Sequence, residues 1–189
     1  MKTKTICIIG LAFFVMSYIL FSQISLNTQK PIDFAHWFNL IGAVLLISFN
    51  FVFPKNTLNS IASIITTIGV VAHIGLCMID FIFWSFGNNE IKSEELRIHI
   101  TNTPSILYPF VIVGPSLLFV GLSIHATNFI KVEPIKVALV IIGAIIIGVS
   151  FFALKNGIFM LLGCLLFAFG LALLVYRKDK EKIVNSINS

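Results

Sequence analysis

The side chains best suited to chemistry in this sequence are acids, imidazoles and their polar neighbours inside long apolar runs. At about 100° per residue from His73, Thr66 falls near 20°, Cys77 near 40°, Asp80 near −20° and Trp84 near 20° on a helical wheel. An ionisable group in such a run is costly unless it is paired or serves a function. This stripe therefore predicts either a proton- or cation-binding site or a polar contact between helices.

A second polar face lies in the apolar run before it. With His36 at zero, Asn39 falls at about −60° and Asn50 at about −40° on the wheel. The two runs are joined by a short Pro-Lys-Asn turn, so they are expected to be antiparallel neighbours. When depths in the two runs are counted from the end away from this turn, Asn39 lies level with Asp80, and His36 lies level with Trp84.

Together these faces predict one polar cluster near the outer surface of a membrane. It contains His36, Asn39 and Asp80, while His73 and Cys77 extend it toward the bilayer centre. Asp80 could accept a proton, bind a cation or orient an imidazole, which titrates close to neutral pH. The competing interpretation is that these groups hydrogen-bond one another and only fasten two helices together.

Metal and haem sites have weaker support. His36, Asp80 and His99 are candidate metal ligands, but no sequence motif brings them together. A bis-histidine haem needs two imidazoles at one depth on facing helices. His36 lies near the outer rim, His73 near the middle and His125 near the inner rim, where it is expected to be a boundary residue. The sequence therefore assigns no cofactor.

The fourth apolar run contains a break in its helical pattern. Pro115 has no amide hydrogen and is expected to kink the helix and free the carbonyl of Val111. In transporters, interrupted helices expose such groups to substrates and ions. Tyr108, at the outer end of this run, is a candidate to join the polar cluster, although an interfacial aromatic belt explains it equally well.

The composition requires apolar surroundings for these elements. The 189 residues are 58% hydrophobic and 11% charged, with a mean hydropathy of +1.01. That is more apolar surface than one soluble core of this size can bury. The sequence therefore predicts an all-α integral membrane protein, a single transmembrane domain over residues 1–189. Its six predicted transmembrane helices are about 5–25, 34–53, 60–86, 105–127, 135–154 and 157–176.

The first of these spans has a second interpretation, because Lys2 and Lys4 before an apolar stretch also describe a secretory signal peptide. The stretch is long for a signal core and lacks a small-x-small cleavage site, which favours a retained helix. Nine Lys and Arg residues lie on one side of the spans and four on the other. The basic side is expected to be cytoplasmic. Both termini, including a basic tail over 177–189, are then cytoplasmic, and the location predicted is the cell membrane.

The longest connection, about residues 87–104, is then extracytoplasmic. Within it, Leu96, Ile98 and Ile100 alternate with polar residues. This period of two favours a short strand or an extended lid over the bundle, with a flexible solvated loop as the equal alternative.

The partners follow from the charge pattern and from the smooth final hairpin. Basic residues lie in ones and twos between apolar runs or directly after the last span, which excludes a nucleic-acid surface and indicates contact with lipid. Small residues four apart, such as Ala144 and Gly148, permit close helix contact. The fifth and sixth spans therefore form a packing scaffold or a surface for a homo-oligomer or partner subunit.

Three functions remain open on the sequence. The first is a small transporter or permeation protein for a small solute, ion or proton, with its site on the second to fourth spans. The second is a membrane enzyme or metal-binding protein that uses His36, Asp80 and His99. The third is a non-catalytic subunit whose polar residues only pack helices.

Overall fold

The structure, a computed structural model, describes residues 2–22 and 33–177. These residues fold into helices and contain no strand. The end of the first predicted span and the basic tail beyond Arg177 lie outside the described residues. The helices are α1 (Thr3–Ser22), α2 (Phe34–Leu46, continued by a 3₁₀ stretch to Phe51), α3 (Thr57–Ser85), α4 (Glu90–Thr101), α5 (Pro104–Thr127), α6 (Pro134–Leu154) and α7 (Gly157–Val175).

Six of these helices, all except α4, are long and apolar enough to cross a membrane. The prediction of six long apolar helices is therefore confirmed, with ends that differ from the expected ones by a few residues. On α3 the buried side chains include Thr66, His73 and Cys77, whereas Ile64 and Val71 on the opposite face are 62% and 59% exposed. Polar groups inside and apolar groups outside are the reverse of a soluble helix and suit a multi-pass membrane protein.

Glycines allow three helix pairs to approach closely, namely α1 with α2, α3 with α5, and α6 with α7. A Cβ added at Gly42 would lie 2.8 Å from the backbone nitrogen of Phe14, and one at Gly163 would lie 2.9 Å from the carbonyl oxygen of Gly143. Ala144 and Gly148 were expected to permit close helix contact, in a packing scaffold or on the surface for a second subunit. Gly148 has nothing within 4 Å of its Cβ position, and Gly143 and Gly163 form the close contact between α6 and α7.

The predicted irregularity in α5 takes the form of a wide π-helical turn. Residues Leu107–Ile112 are π-helical, and the amide of Val113 donates to the carbonyl of Tyr108, five residues earlier. Gly114 follows, packed against Ala72 of α3 and the carbonyl of Pro109. Such turns are rare and often border functional sites.

The strand, lid or loop predicted around residues 96–101 is wrong, because these residues belong to α4. The side chain of Asn89 caps this helix by accepting from the amide of Lys92 at 3.1 Å. One turn apart on α4, Arg97 donates to both carboxylate oxygens of Glu94, at 2.8 and 2.6 Å. These hydrogen bonds hold the pKa of Glu94 below its ordinary value. Capping and pairing at helical spacing outweighed a short alternation of apolar and polar residues.

Candidate functional site

A histidine lies between two carboxylates where α2 begins. Asp33 is the N-cap of α2, and its carboxylate accepts from the backbone amide of His36 at 3.2 Å and also contacts the ring nitrogen Nδ1. The other ring nitrogen, Nε2, lies 3.3 Å from Oδ2 of Asp80 on α3. Only a doubly protonated imidazole can donate to both carboxylates at once. We call Asp33, His36 and Asp80 the carboxylate–imidazole cluster.

This cluster lies at a rim that is partly open. The side chain of Asp80 is 33% exposed, that of His36 20% and that of Asp33 9%. Phe21 and Phe81 flank the imidazole, with ring centroids 4.8 and 5.8 Å away. The site therefore has one accessible carboxylate, while its ion pairs are bordered by apolar rings that strengthen their electrostatics.

Deeper in the bundle, His73 of α3 pairs with Asn39 of α2. Nε2 of His73 lies 3.0 Å from the Asn39 side-chain oxygen, and its ring packs on Phe14 with centroids 5.6 Å apart. His73 is only 3% exposed, and its Nδ1 has no hydrogen-bond partner among the described residues. One nitrogen is thus used to hold two helices together and the other is left unsatisfied.

The predicted register between α2 and α3 is wrong by at least one turn. Asn39 was expected beside Asp80 and His36 beside Trp84, but the contacts are Asn39 with His73 and His36 with Asp80. The expected register required the start of α2 and the end of α3 to lie at the same level. With 29 residues, α3 is about 44 Å long and extends beyond the start of α2.

A third polar cluster lies at the opposite end of α3 and was missed by the sequence analysis. His125 of α5 is fully buried, with Nδ1 2.5 Å from the oxygen of Asn59 and Nε2 3.0 Å from that of Asn50. Asn50 also donates to Thr67 at 3.2 Å. His125 therefore lies near the end of α5 and is enclosed by side chains of neighbouring helices. Its partners are amides, which carry no charge and can rotate to suit a neutral ring.

Asn59 and Asp33 were not among the predicted site residues, although the sequence contained a signal for each. Asn59 precedes His73 by 14 positions, which is about 40° on the helical wheel and thus on the same stripe. Asp33 immediately precedes an apolar helical run, the usual position of an N-cap.

Among the described residues, no hydrogen bond or ion pair links the remaining candidates to the carboxylate–imidazole cluster. Cys77 is fully buried, Tyr108 is 54% exposed near the start of α5, and His99 lies exposed on α4. Within the described ranges, no three His, Cys, Asp or Glu side chains are placed to hold one metal ion. His36, Asp80 and His99 therefore do not converge as a three-ligand site.

Comparison with known proteins provides no further constraint, because no family model, curated protein or solved structure matches this chain. The chemistry available is that of the three polar clusters along α3. The carboxylate–imidazole cluster brings together groups that can exchange a proton, whereas the amide-paired histidines form hydrogen bonds between helices.

Proposed function

We propose that this protein is a small multi-pass transport or permeation protein that takes up a proton or a cation at the carboxylate–imidazole cluster. The observation that carries the proposal is the His36 imidazole between Asp33 and Asp80, with Asp80 one third exposed. Two carboxylates offer two negative charges, and one imidazolium neutralises only one of them. A proton or a cation is therefore the natural further occupant.

The polar groups that continue along α3 support a route inward from this cluster. His73 with Asn39 and, further on, Asn59 with His125 provide hydrogen-bonding groups at two deeper levels. Thr66 lies between these levels, and its hydroxyl is buried without a partner among the described residues. Chains of Asp, His and hydroxyl groups are the usual material of proton relays in membranes.

The proposal includes an orientation. We place both termini in the cytoplasm and the protein in the cell membrane, so that the carboxylate–imidazole cluster faces outward. The support for this orientation is the excess of Lys and Arg on the opposite side of the spans.

The second candidate is a non-catalytic membrane subunit, favoured by the closed contacts of the deeper histidines. The Asn39–His73 and Asn59–His125 pairs join different helices, and interhelical hydrogen bonds of this kind are common in membrane bundles. In this case the cluster at the rim would fasten α2 to α3 and no ion would move.

Proton flux through the full chain in lipid vesicles separates the two candidates. A pH gradient is imposed under a potassium–valinomycin clamp, and an entrapped dye reports the internal pH. We expect flux above that of protein-free vesicles, and at least a tenfold drop in Asp80→Asn, which keeps the side-chain shape but not the charge. The matched control is Glu95→Gln, which removes an exposed carboxylate on α4.

Two outcomes would overturn the transport proposal. The first is wild-type flux no greater than in protein-free vesicles, with sodium or potassium gradients equally silent. The second is an Asp80→Asn protein with unchanged flux and a lower unfolding temperature, which is the result expected of a helix contact.

A further inference from the structure

An aromatic pair borders the contact between His36 and Asp80. Trp37 follows His36 on α2, Phe81 follows Asp80 on α3, and the centroids of their rings lie 5.2 Å apart. The ring of Phe81 also lies 5.8 Å from the imidazole of His36, centroid to centroid. Trp37 is 46% exposed, so its indole can be reached from outside the bundle. The accessible carboxylate of Asp80 therefore has aromatic surface close to it.

Two more rings extend this aromatic surface. Trp84 is half-buried and lies four residues after Asp80 on α3, a spacing that puts two side chains on one face of a helix with Cβ atoms about 5–6 Å apart. Phe21 of α1 packs on the imidazole with a centroid distance of 4.8 Å. Tryptophan is common at membrane interfaces, but rings from three helices close to one exposed carboxylate form a surface that attracts a cation.

The cluster is poorly suited to coordinate a metal ion. Three of its four carboxylate oxygens contact His36, namely both of Asp33 and Oδ2 of Asp80. An imidazole that donates through both nitrogens keeps no lone pair for a metal. A calcium or magnesium ion takes about six or more oxygen ligands, whereas Oδ1 of Asp80 is the one cluster oxygen without a partner among the described residues. A metal ion there would keep nearly all of its water shell and gain little from binding.

An alkylammonium ion has the properties that this site can recognise. Its charge is spread over carbon groups, so it gives up water more easily than a metal ion and needs no shell of oxygen ligands. The cluster contains two carboxylates and one imidazolium, which leaves one negative charge for a cation to neutralise. Ring faces within about 6 Å attract such a cation, and its carbon groups bury apolar surface against the rings.

We propose that the carboxylate–imidazole cluster binds an alkylammonium ion, which pairs with Asp80 and packs against Trp37 and Phe81. The proposal rests on the proposed function, because it names the class of cation that is taken up at the same cluster. Binding is measured at equilibrium and transport as a flux, so each of the two can fail without the other.

The test is equilibrium binding to the full chain in phosphatidylcholine nanodiscs, with empty nanodiscs as the blank. The probe is a dansyl fluorophore linked to a trimethylammonium group, and its control carries a tert-butyl group at the same place. The two probes share their shape and apolar area and differ by one positive charge. Fluorescence anisotropy gives the two dissociation constants, and we expect the charged probe to bind at least about tenfold more tightly.

Three variants make the result specific, each checked for an unchanged fold by circular dichroism. Asp80→Asn removes the charge and is expected to abolish the preference for the charged probe. A cation–π contact at a partly exposed site corresponds to roughly two- to fivefold in affinity, so Phe81→Leu is expected to weaken binding of the charged probe about threefold. Its matched control is Phe83→Leu on the same helix. Phe83 makes no ring contact among the described residues, so this variant is expected to keep the wild-type affinity.

Competing salts test whether metal ions occupy the same site. Tetramethylammonium, sodium and magnesium chlorides are added at equal ionic strength, so that screening by salt is the same in each titration. We expect tetramethylammonium to displace the probe at an ionic strength at which the sodium and magnesium salts leave most of it bound.

Equal affinity for the charged and neutral probes in the wild-type protein would overturn the proposal, because only apolar groups would then be recognised. Displacement by the sodium or magnesium salt as effective as that by tetramethylammonium contradicts it as well. Charge-selective binding that depends on Asp80, without flux of protons or cations in vesicles, refutes the transport function and supports this binding site. Proton flux that depends on Asp80, without charge-selective binding, refutes this binding site alone.

Discussion

The variant Gly69→Ala is expected to destabilise the close crossing of α3 and α5. A Cβ at this position would lie 2.2 Å from the backbone nitrogen of Leu118 and 2.6 Å from the carbonyl carbon of Leu117, whereas ordinary contact begins at 3.4 Å. The two helices must therefore separate by roughly 1.2 Å, which is the difference between 3.4 and 2.2 Å. The obstacle is backbone, so no side chain can rotate out of the way.

The expected size of this effect comes from two opposing contributions. Overpacking of a well-packed contact typically costs about 1–3 kcal/mol, while alanine gains about 1 kcal/mol over glycine in a helix. Because the obstacle is backbone, the cost is expected at the upper end of that range, and the net loss for Gly69→Ala is then about 2 kcal/mol. The matched control is Gly148→Ala, where the added methyl group meets nothing within 4 Å, and no loss is expected.

The assay is equilibrium unfolding of the full chain in mixed micelles, followed by circular dichroism as the denaturing detergent is increased. Each variant adds one methyl group, and both helices are long and apolar enough to cross a membrane. If Gly69→Ala and Gly148→Ala unfold at the same detergent fraction, the close approach of α3 and α5 described here is incorrect.

Two further predictions concern polar pairs. His125→Ala is expected to lower the free energy of unfolding by about 1–3 kcal/mol, because it removes two interhelical hydrogen bonds, which average about 0.6 and reach 1.7 kcal/mol each. Asn59→Ala should then cost less stability in the His125→Ala protein than in the wild type. Strictly additive losses would contradict the pairing. Arg97→Gln is expected to raise the pKa of Glu94 toward its ordinary value. The titration of the Glu94 carboxyl carbon, measured by carbon-13 NMR, gives this pKa. An unchanged titration midpoint would contradict the ion pair. A carboxyl group whose pKa is lower in the folded state stabilises the fold above its unfolded pKa, and this stabilisation is lost as the pH falls through the folded pKa. The side chains of Arg97 and Glu94 are 67% and 51% exposed, so the contribution is small and the unfolding temperature should not change measurably.

The helices themselves were predictable because their signals are local. Mean hydropathy and length identify the six apolar helices, and a period of 3.6 residues puts Thr66, His73 and Cys77 on the buried face of α3. Local reasoning failed at α4, where six alternating residues were too few to compete with an N-cap and an i, i+3 ion pair.

The partners of these residues were decided only by the tertiary structure. A helical wheel gives the direction of a side chain around its own axis but not the axial shift between two helices, so Asp80 was matched with Asn39 instead of His36. The burial of His125 depends on the glycine-mediated approach of α3 and α5, which no single segment encodes. The sequence thus determined which faces are polar, and the packing of the helices determined which polar groups meet.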